Sequence, residues 1–546
     1  MKFMNDFKYL KPSFKKIAPQ IFTILIIVVL LSLCALVPPY YSKLIFDDGV
    51  VGKDEGKILL YGGLAILFFF ISLVLEFLSK TLFTITSNRF IVDVKGNVLN
   101  RLMIMPMAFF DTKQSGYLHS RINEVNSLSA MFSPTIFSFI SSIIQFTGAF
   151  IIMFNISKTI TFIMLCFIPV FYLIASQMSK ALKRSSRQLM EMNAKTSGNL
   201  QESISSISDL KQFNSQEKNS KKLIKQFQDV AKKRILQSIF LSVGTQLLKF
   251  FSSAAGIIVL IISGIFIVKG ELSLGDYVAL AGYSGMLFVP VQLFGTFSLT
   301  IQPALVSLSR LRVIFDNKTE EELWGKKEFK GIENKIEFKN ISFAYKDEEE
   351  NIIKNVFDNI NFKIEKGKCF SLFGRNGTGK STLMKLLLGF YPDYTGKILI
   401  DGVELHDYDI NSVREKIGIV SQSIMLFSGT AYENLNIAKD GLTAEELNHA
   451  WKISGCSNLF KEDMRNIMII EGGKNLSGGQ KQAIAIARCL LKNSDIIIFD
   501  EATAHLDVNT KDIVIDSFVN YFQGKTRVII SHDKELDSIS DKSFAL

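Results

Sequence analysis

Six long apolar runs lie within the first 300 residues, near 19–45, 58–80, 131–154, 158–179, 238–268 and 277–300. Each supplies the roughly 20 residues that a helix needs to cross about 30 Å of hydrocarbon. Only helices or closed barrels span a bilayer, because unpaired backbone groups are costly in lipid. The runs are too long for barrel strands, so the first half is predicted to be a six-helix, all-α transmembrane domain. The whole chain has 546 residues, enough for two to four domains. Only 21% of residues are charged and 48% are hydrophobic, which excludes a disordered chain and a single soluble domain. Lys and Arg number 62 against 52 Asp and Glu, a balance of +10. Such a balance fits nucleic-acid binding or a membrane protein with basic cytoplasmic segments. The apolar runs favour the second, and no nucleic-acid partner is expected.

Orientation follows from the distribution of Lys and Arg. Lys2, Lys8, Lys11, Lys15 and Lys16 precede the first run, placing the N-terminus on the cytoplasmic side of a cell membrane. The long basic stretches 86–130 and 180–237 are predicted to be cytoplasmic loops. The short segments with Asp47, Asp48, Asp54 and Glu55, Asn155 to Lys158, and Lys269 to Asp276 are predicted to face outward. A cleavable signal peptide would carry an apolar region of about 7–15 residues. Here the run is longer and leads into Pro38-Pro39-Tyr40-Tyr41. Cys34, Cys166, Cys369, Cys456 and Cys489 form no C-x-x-C pair, so neither a zinc site nor a disulfide framework is expected.

Beyond Leu311 the composition changes. The predicted division is a membrane domain over 1–315, a charged linker over 316–335 and an α/β domain over 336–546. Ile336 to Tyr345, Cys369 to Phe373, Lys397 to Ile400, Ile417 to Val420, Ile496 to Phe499 and Arg527 to Ile530 read as strands, and Ser381 to Phe390 reads as a helix. Strands alternating with helices predict a parallel sheet.

Gly374-Arg375-Asn376-Gly377-Thr378-Gly379-Lys380-Ser381 fits G-x-x-x-x-G-K-[ST] between a strand and a helix. The glycines let backbone N–H groups wrap phosphate oxygens, Lys380 reaches the β- and γ-phosphates, and the Ser381 hydroxyl ligates Mg²⁺. Ile496 to Phe499 runs into Asp500 and Glu501. A buried strand ending in two carboxylates suits a Mg²⁺-dependent ATPase, with Asp500 at the Mg²⁺ and Glu501 polarising the attacking water. Acidic residues often simply end strands; the phosphate loop is what gives this pair weight. Leu476-Ser477-Gly478-Gly479-Gln480 opens another helix, whose positive end favours an anion and whose Ser477 is equally suited to cap it.

The L-S-G-G-Q pentapeptide between the phosphate loop and I-I-I-F-D-E resembles the signature of ATP-binding cassette (ABC) proteins, and the resemblance extends over nearly the whole chain. It implies an α/β P-loop ATPase domain with ATP and Mg²⁺ as cofactors. The nucleotide residues it implies are Tyr345 as the adenine-stacking aromatic, Gly374, Asn376, Gly377, Gly379, Lys380, Ser381 and Thr382, the signature residues Ser477, Gly478, Gly479 and Gln480, and Asp507 of the D-loop. Ser381, Gln422 and Asp500 would hold Mg²⁺; Glu501, Gln422 and the switch histidine His532 would be catalytic. Glu471 to Gly473 is similar to the acidic loop of exporters.

The membrane half resembles exporter-type half-transporters, through Phe109-Phe110-Asp111 with Gly116-Tyr117-Leu118, and through Gly270 to Asp276. A single membrane half fused to a single cassette implies a dimer, with each ATP between the phosphate loop of one subunit and the signature of the other. A homodimer is expected, and pairing with a different half-transporter is the alternative. Coupling helices are expected near 110–118 and 207–215. Ala483 stands where an Arg usually follows the signature, 460–470 is shorter than usual, and the final strand, turn and helix look missing before Leu546. No cysteine-protease-like segment precedes the first run, which points away from a leader-cleaving exporter. The expected function is ATP-driven export of a small amphipathic peptide, lipid or drug by alternating access. The alternatives are an uptake system of the same fold and a non-pumping sensor. Glu76, Lys249, Gln145, Gln246 and Gln292 are polar positions within the runs; they either line a substrate cavity or, for Glu76, form an i,i+4 pair with Lys80.

Overall fold

The apolar runs become long helices, even where they contain Pro38, Pro39, Pro169 or Pro290, and the computed structural model shows how far they run. It describes residues 7–113, 121–347, 352–375, 377–502, 511–512, 515–531 and 539–546. The chain divides into two units, Met1–Asn100 with His119–Asp316, and Arg101–Leu118 with Asn317–Leu546.

The long helices are α1 (Lys11–Leu44), α2 (Glu55–Met103), α3 (Pro134–Ile156), α4 (Lys158–Ser205), α5 (Gln216–Val268) and α6 (Leu274–Asp316). Six helical stretches are long and apolar enough to cross a membrane: Phe7–Val51, Glu55–Met103, Arg121–Ile156, Lys158–Ser205, Gln216–Val268 and Leu274–Phe294. The expected basic loops are largely helix instead. α2 continues to Met103, while α4 and α5 carry 48 and 53 residues and leave only the short helix Ile207–Gln212 and its flanks between them. The reason is local: a helix needs only its own i→i−4 bonds, so an apolar run marks what lipid covers and not where the helix stops.

Pro134 occupies the first turn of α3, where its missing N–H costs nothing, and the Ser157 side chain accepts from Ile160 N at the start of α4. Inside this unit Phe171 stacks on Phe288 with ring centroids 4.4 Å apart, and both are buried. The buried Tyr283 hydroxyl donates to the Leu36 carbonyl at 2.7 Å. At one end Asp47 accepts from Ser273 Oγ at 2.8 Å and from Gly275 N at 3.0 Å, tying the segment Ile45–Val51 that follows α1 to the start of α6. Ile66, Phe69, Phe70 and Phe77 lie exposed along α2, a surface suited to hydrocarbon. Glu76 pairs with Lys80 at 2.6 Å, the i,i+4 arrangement. Gln145 donates to Ser141 Oγ at 3.1 Å, and Gln246 and Lys249 are exposed on α5.

The second unit contains two main sheets. β1 (Lys335–Lys346), β2 (Ile352–Glu365), β4 (Thr395–Ile400) and β5 (Val403–Glu404) form an antiparallel sheet in the order β2-β1-β4-β5. β3 (Cys369–Phe373), β6 (Ile417–Val420), β9 (Ile496–Asp500), β10 (Thr526–Ile530) and β11 (Lys542–Ala545) form a parallel sheet in the order β11-β3-β10-β9-β6. All five residues of β9 are buried, as a parallel strand covered on both faces requires. A small ribbon pairs β7 (Gly429–Thr430) with β8 (Met468–Ile469). The expectation that no final strand precedes Leu546 is overturned, because β11 adds to β3 in parallel, with Phe544 opposite Leu372. Its sequence, Lys-Ser-Phe-Ala, is too short and polar to announce a strand, and only pairing reveals it.

Helix α7 (Lys380–Leu387) follows β3, and α8 (Gly478–Lys492) precedes β9. Ala483, on α8, is buried, so the position usually held by an Arg is here part of the core. The short helix Met107–Asp111 belongs to this second unit. There Tyr391 donates to Asp111 Oδ2, and Ala108 packs beside the core around Phe343 and Tyr391.

Candidate nucleotide-binding site

In an open parallel sheet the loops at the carboxyl edge converge on the ligand. Here that edge gathers the loop after β3, Gln422 beyond β6, Asp500 and Glu501 at the end of β9, and Ser531 after β10. Register brings them level, with Ile530 paired to Leu372 on one side and to Asp500 on the other.

The loop after β3 needs glycine. Gly379 has φ +101°, and a Cβ there would meet Val356 Cγ1 at 2.3 Å, so a side chain would be both strained and blocked. α7 then begins at Lys380, and the first N–H groups of a helix lack intrahelical acceptors, which suits this end of it to an anion. The buried Lys380 donates through Nζ to the carbonyls of Gly374 at 2.8 Å and Arg375 at 3.0 Å, curling over the same loop.

Ser381 Oγ donates to Asp500 Oδ1 at 2.8 Å. Burial pushes the Asp500 carboxyl above the usual carboxylate range, and the Ser381 hydrogen bond offsets part of this. Gln422 Nε2 donates to Glu501 Oε2. Glu501 has φ +51°, a left-handed conformation uncommon outside glycine, Asn and Asp, and its N–H donates to the Ile530 carbonyl at 2.8 Å. Such strain concentrates where function dictates side-chain direction.

Tyr345, near the end of β1, donates to or accepts from Thr382 Oγ1 at 3.0 Å. Its ring meets Phe343 at 5.1 Å and Tyr391 at 5.5 Å, both edge-on. A cavity of about 490 Å³ lies between these groups, lined by Tyr345, Gly377, Gly379, Lys380, Ser381, Thr382, Gln422 and Glu501, together with Lys354 and Val356. The last two were not anticipated. They lie two residues apart on β2, a strand absent from the expected set, whose sequence alternates only over Ile360, Phe362 and Ile364.

The signature residues stand apart from this lining. Ser477 caps α8: its Oγ accepts from Gln480 N at 3.3 Å, while Gln480 Oε1 accepts from Ser477 N at 3.0 Å. Gln480 Nε2 donates to the Leu459 carbonyl at 3.2 Å, so both ends of that amide are engaged within the cassette. Gly478 and Gly479 open the first turn of the helix. Asn376, Asp507 and His532 lie outside the described residues. Among the described residues no His, Cys, Asp and Glu cluster able to hold a metal by itself is present.

Residues 21–291 match the family model described as ABC transporter transmembrane region, and residues 357–504 match the model described as ABC transporter. The leukotoxin translocation ATP-binding protein LktB of Mannheimia glucosida is 28% identical over 530 residues, 96% of this chain and 74% of that protein. LktB of Bibersteinia trehalosi matches with the same identity and coverage. A solved bacterial Atm1-family ABC exporter with ATP bound shares the fold with a TM-score of 0.85 at 21% identity, over 97% of this chain and 94% of that one. The chain therefore belongs to the ABC transporters as an exporter half-transporter, a multi-pass membrane protein whose N-terminal transmembrane region is fused to an ABC ATPase domain that drives export with ATP.

Proposed function

We propose that two copies of this chain pair to export a small amphipathic peptide, lipid or drug by alternating access, with the N-terminus and the ATPase domain in the cytoplasm. The observation that carries the reading is the division of the cassette's motifs. The phosphate loop, Gln422 and Glu501 line one cavity, and Asp500 accepts from Ser381 of that lining, whereas Ser477 to Gln480 lie outside it. A second copy supplies the missing side. Closing the two cassettes on ATP then links nucleotide occupancy to the spans.

Within each site Lys380 and the N–H groups of the 374–380 loop hold the polyphosphate, and Tyr345 stacks on the adenine. Ser381 and Asp500 form an all-oxygen donor set suited to a hard divalent ion, with Gln422 at its margin. Held there, Mg²⁺ would supply charge neutralisation for the polyphosphate. Glu501, held by Gln422, orients and polarises the attacking water, and the role at the γ-phosphate is assigned to His532 from its place in the motif order alone. The basic residues Lys8, Lys11, Lys15 and Lys16 ahead of the first span support the cytoplasmic orientation.

Inside-out vesicles test the proposal. They should accumulate a fluorescent amphipathic substrate only with ATP, and equal accumulation without ATP, or ATP-driven depletion of preloaded vesicles, would refute it.

A further inference from the structure

Lys354 is the one lysine besides Lys380 among the residues lining the nucleotide cavity. Neither the phosphate-loop pattern nor the signature includes it. It sits on β2 directly opposite Tyr345 in the β1–β2 register. Val356, two residues on and at a break in the β1–β2 register, also lines the cavity. Val356 in turn lies close enough to Gly379 to block a Cβ there. β2 thus runs from the phosphate loop, at Val356, toward the adenine end, at Lys354 beside Tyr345. Two residues of extended chain span at most about 7 Å, comparable to a lysine side chain's reach. That interval corresponds to the ribose and α-phosphate of a nucleotide whose base meets Tyr345 and whose terminal phosphates meet Lys380.

The charge balance agrees. Lys354 is exposed and forms no ion pair with any described carboxylate. Among the described residues its ammonium therefore gives up no carboxylate when it meets an anion.

We propose that Lys354 is a positioning residue for the nucleotide, binding the α-phosphate from the β2 strand while Lys380 holds the β- and γ-phosphates. This rests on the cavity being the ATP site. The ammonium adds affinity in the ground state and leaves the chemistry at the γ-phosphate to Glu501.

The test uses the full-length protein in detergent or nanodiscs. Lys354→Met keeps the apolar stem and removes the charge. It should raise KM for ATP by roughly threefold to tenfold with kcat and the thermal midpoint unchanged, and Lys354→Arg should restore KM. The difference should shrink as ionic strength rises. Competition against ATP hydrolysis assigns the contact: inhibition by AMP and ADP should weaken by a common factor, and inhibition by adenosine should stay constant. An unchanged KM, an equal loss for adenosine, or a loss that grows from AMP to ADP would overturn the α-phosphate assignment. Failure of the unsubstituted protein to bind ATP at all would overturn the reading of the cavity itself.

Discussion

Ser381 Oγ and Asp500 Oδ1 lie 2.8 Å apart, joining the first turn of α7 to the end of β9 across 119 residues of sequence. The contact draws a hydroxyl from the phosphate-loop helix onto a buried carboxylate whose affinity for protons burial has raised. Asp500→Asn leaves the shape intact and removes the charge. The expected outcome is a rise of at least tenfold in the Mg²⁺ concentration needed for half-maximal ATPase, since a carboxylate ligand outranks an amide for a hard cation. A titration of hydrolysis rate against Mg²⁺ at saturating ATP checks it, and an unchanged midpoint would remove Asp500 from the metal.

Glu501→Gln should lower steady-state hydrolysis by 100-fold or more, in the range that general-base loss produces, while ATP stays bound. Retained nucleotide after rapid gel filtration, read beside phosphate release, measures both. Hydrolysis persisting near the unsubstituted rate would contradict the role given to this residue.

Arg414 makes a two-pronged pair with Glu320, both contacts at 2.7 Å, and donates further to the carbonyls of Leu388 and Gly389. Both charges are largely screened from water, with side-chain exposures of 23% and 13%. This pins the short helix Glu320–Leu323 of the linker onto the cassette. Arg414→Ala should destabilise by about 2 kcal/mol, because it leaves a half-buried carboxylate and two carbonyls without their donor. A cycle with Glu320→Ala, followed by denaturant unfolding, should show strong coupling; additive losses would mean that the pair contributes nothing.

Burial pushes the Cys369 thiol up to about 11, and the Cys456 and Cys489 thiols up to about 12. The reactive thiolate is therefore almost absent at neutral pH. Each of these folded-state values lies above that of an exposed thiol, so raising the pH from 7 to 9 should leave alkylation of all three slow in the native protein. Unfolding should release them together. Mass-spectrometric labelling with iodoacetamide, with and without denaturant, checks this, and fast native labelling that climbs with pH would count against it.

Several parts of the molecule were legible as text because they depend on local or repetitive physics. Apolar runs of about twenty residues have few fates other than crossing lipid. Cys369 to Phe373, Ile417 to Val420 and Ile496 to Phe499 are continuous apolar runs between polar breaks, and they emerge as β3, β6 and the body of β9. The glycine spacing from 374 to 379 states its need for positive φ within eight residues. Other elements carried no such mark. β2 alternates weakly and is mostly exposed, and it takes its place only by pairing with β1. β11 is four residues long and exists through β3. The linker's anchorage depends on Arg414, which lies 94 residues away from Glu320.

The sequence by itself thus determined that this chain is a membrane half with an ATPase half, and it named most of the residues that line the cavity beside the phosphate loop. Tertiary structure alone decided that Ser381 meets Asp500, that Gln422 meets Glu501 and that Lys354 stands opposite Tyr345. The reason is physical. Hydropathy and glycine spacing act over a turn or a strand and leave a readable pattern. Strand register and side-chain pairing are settled by which distant segments the core brings into contact, and no short stretch of sequence records that choice.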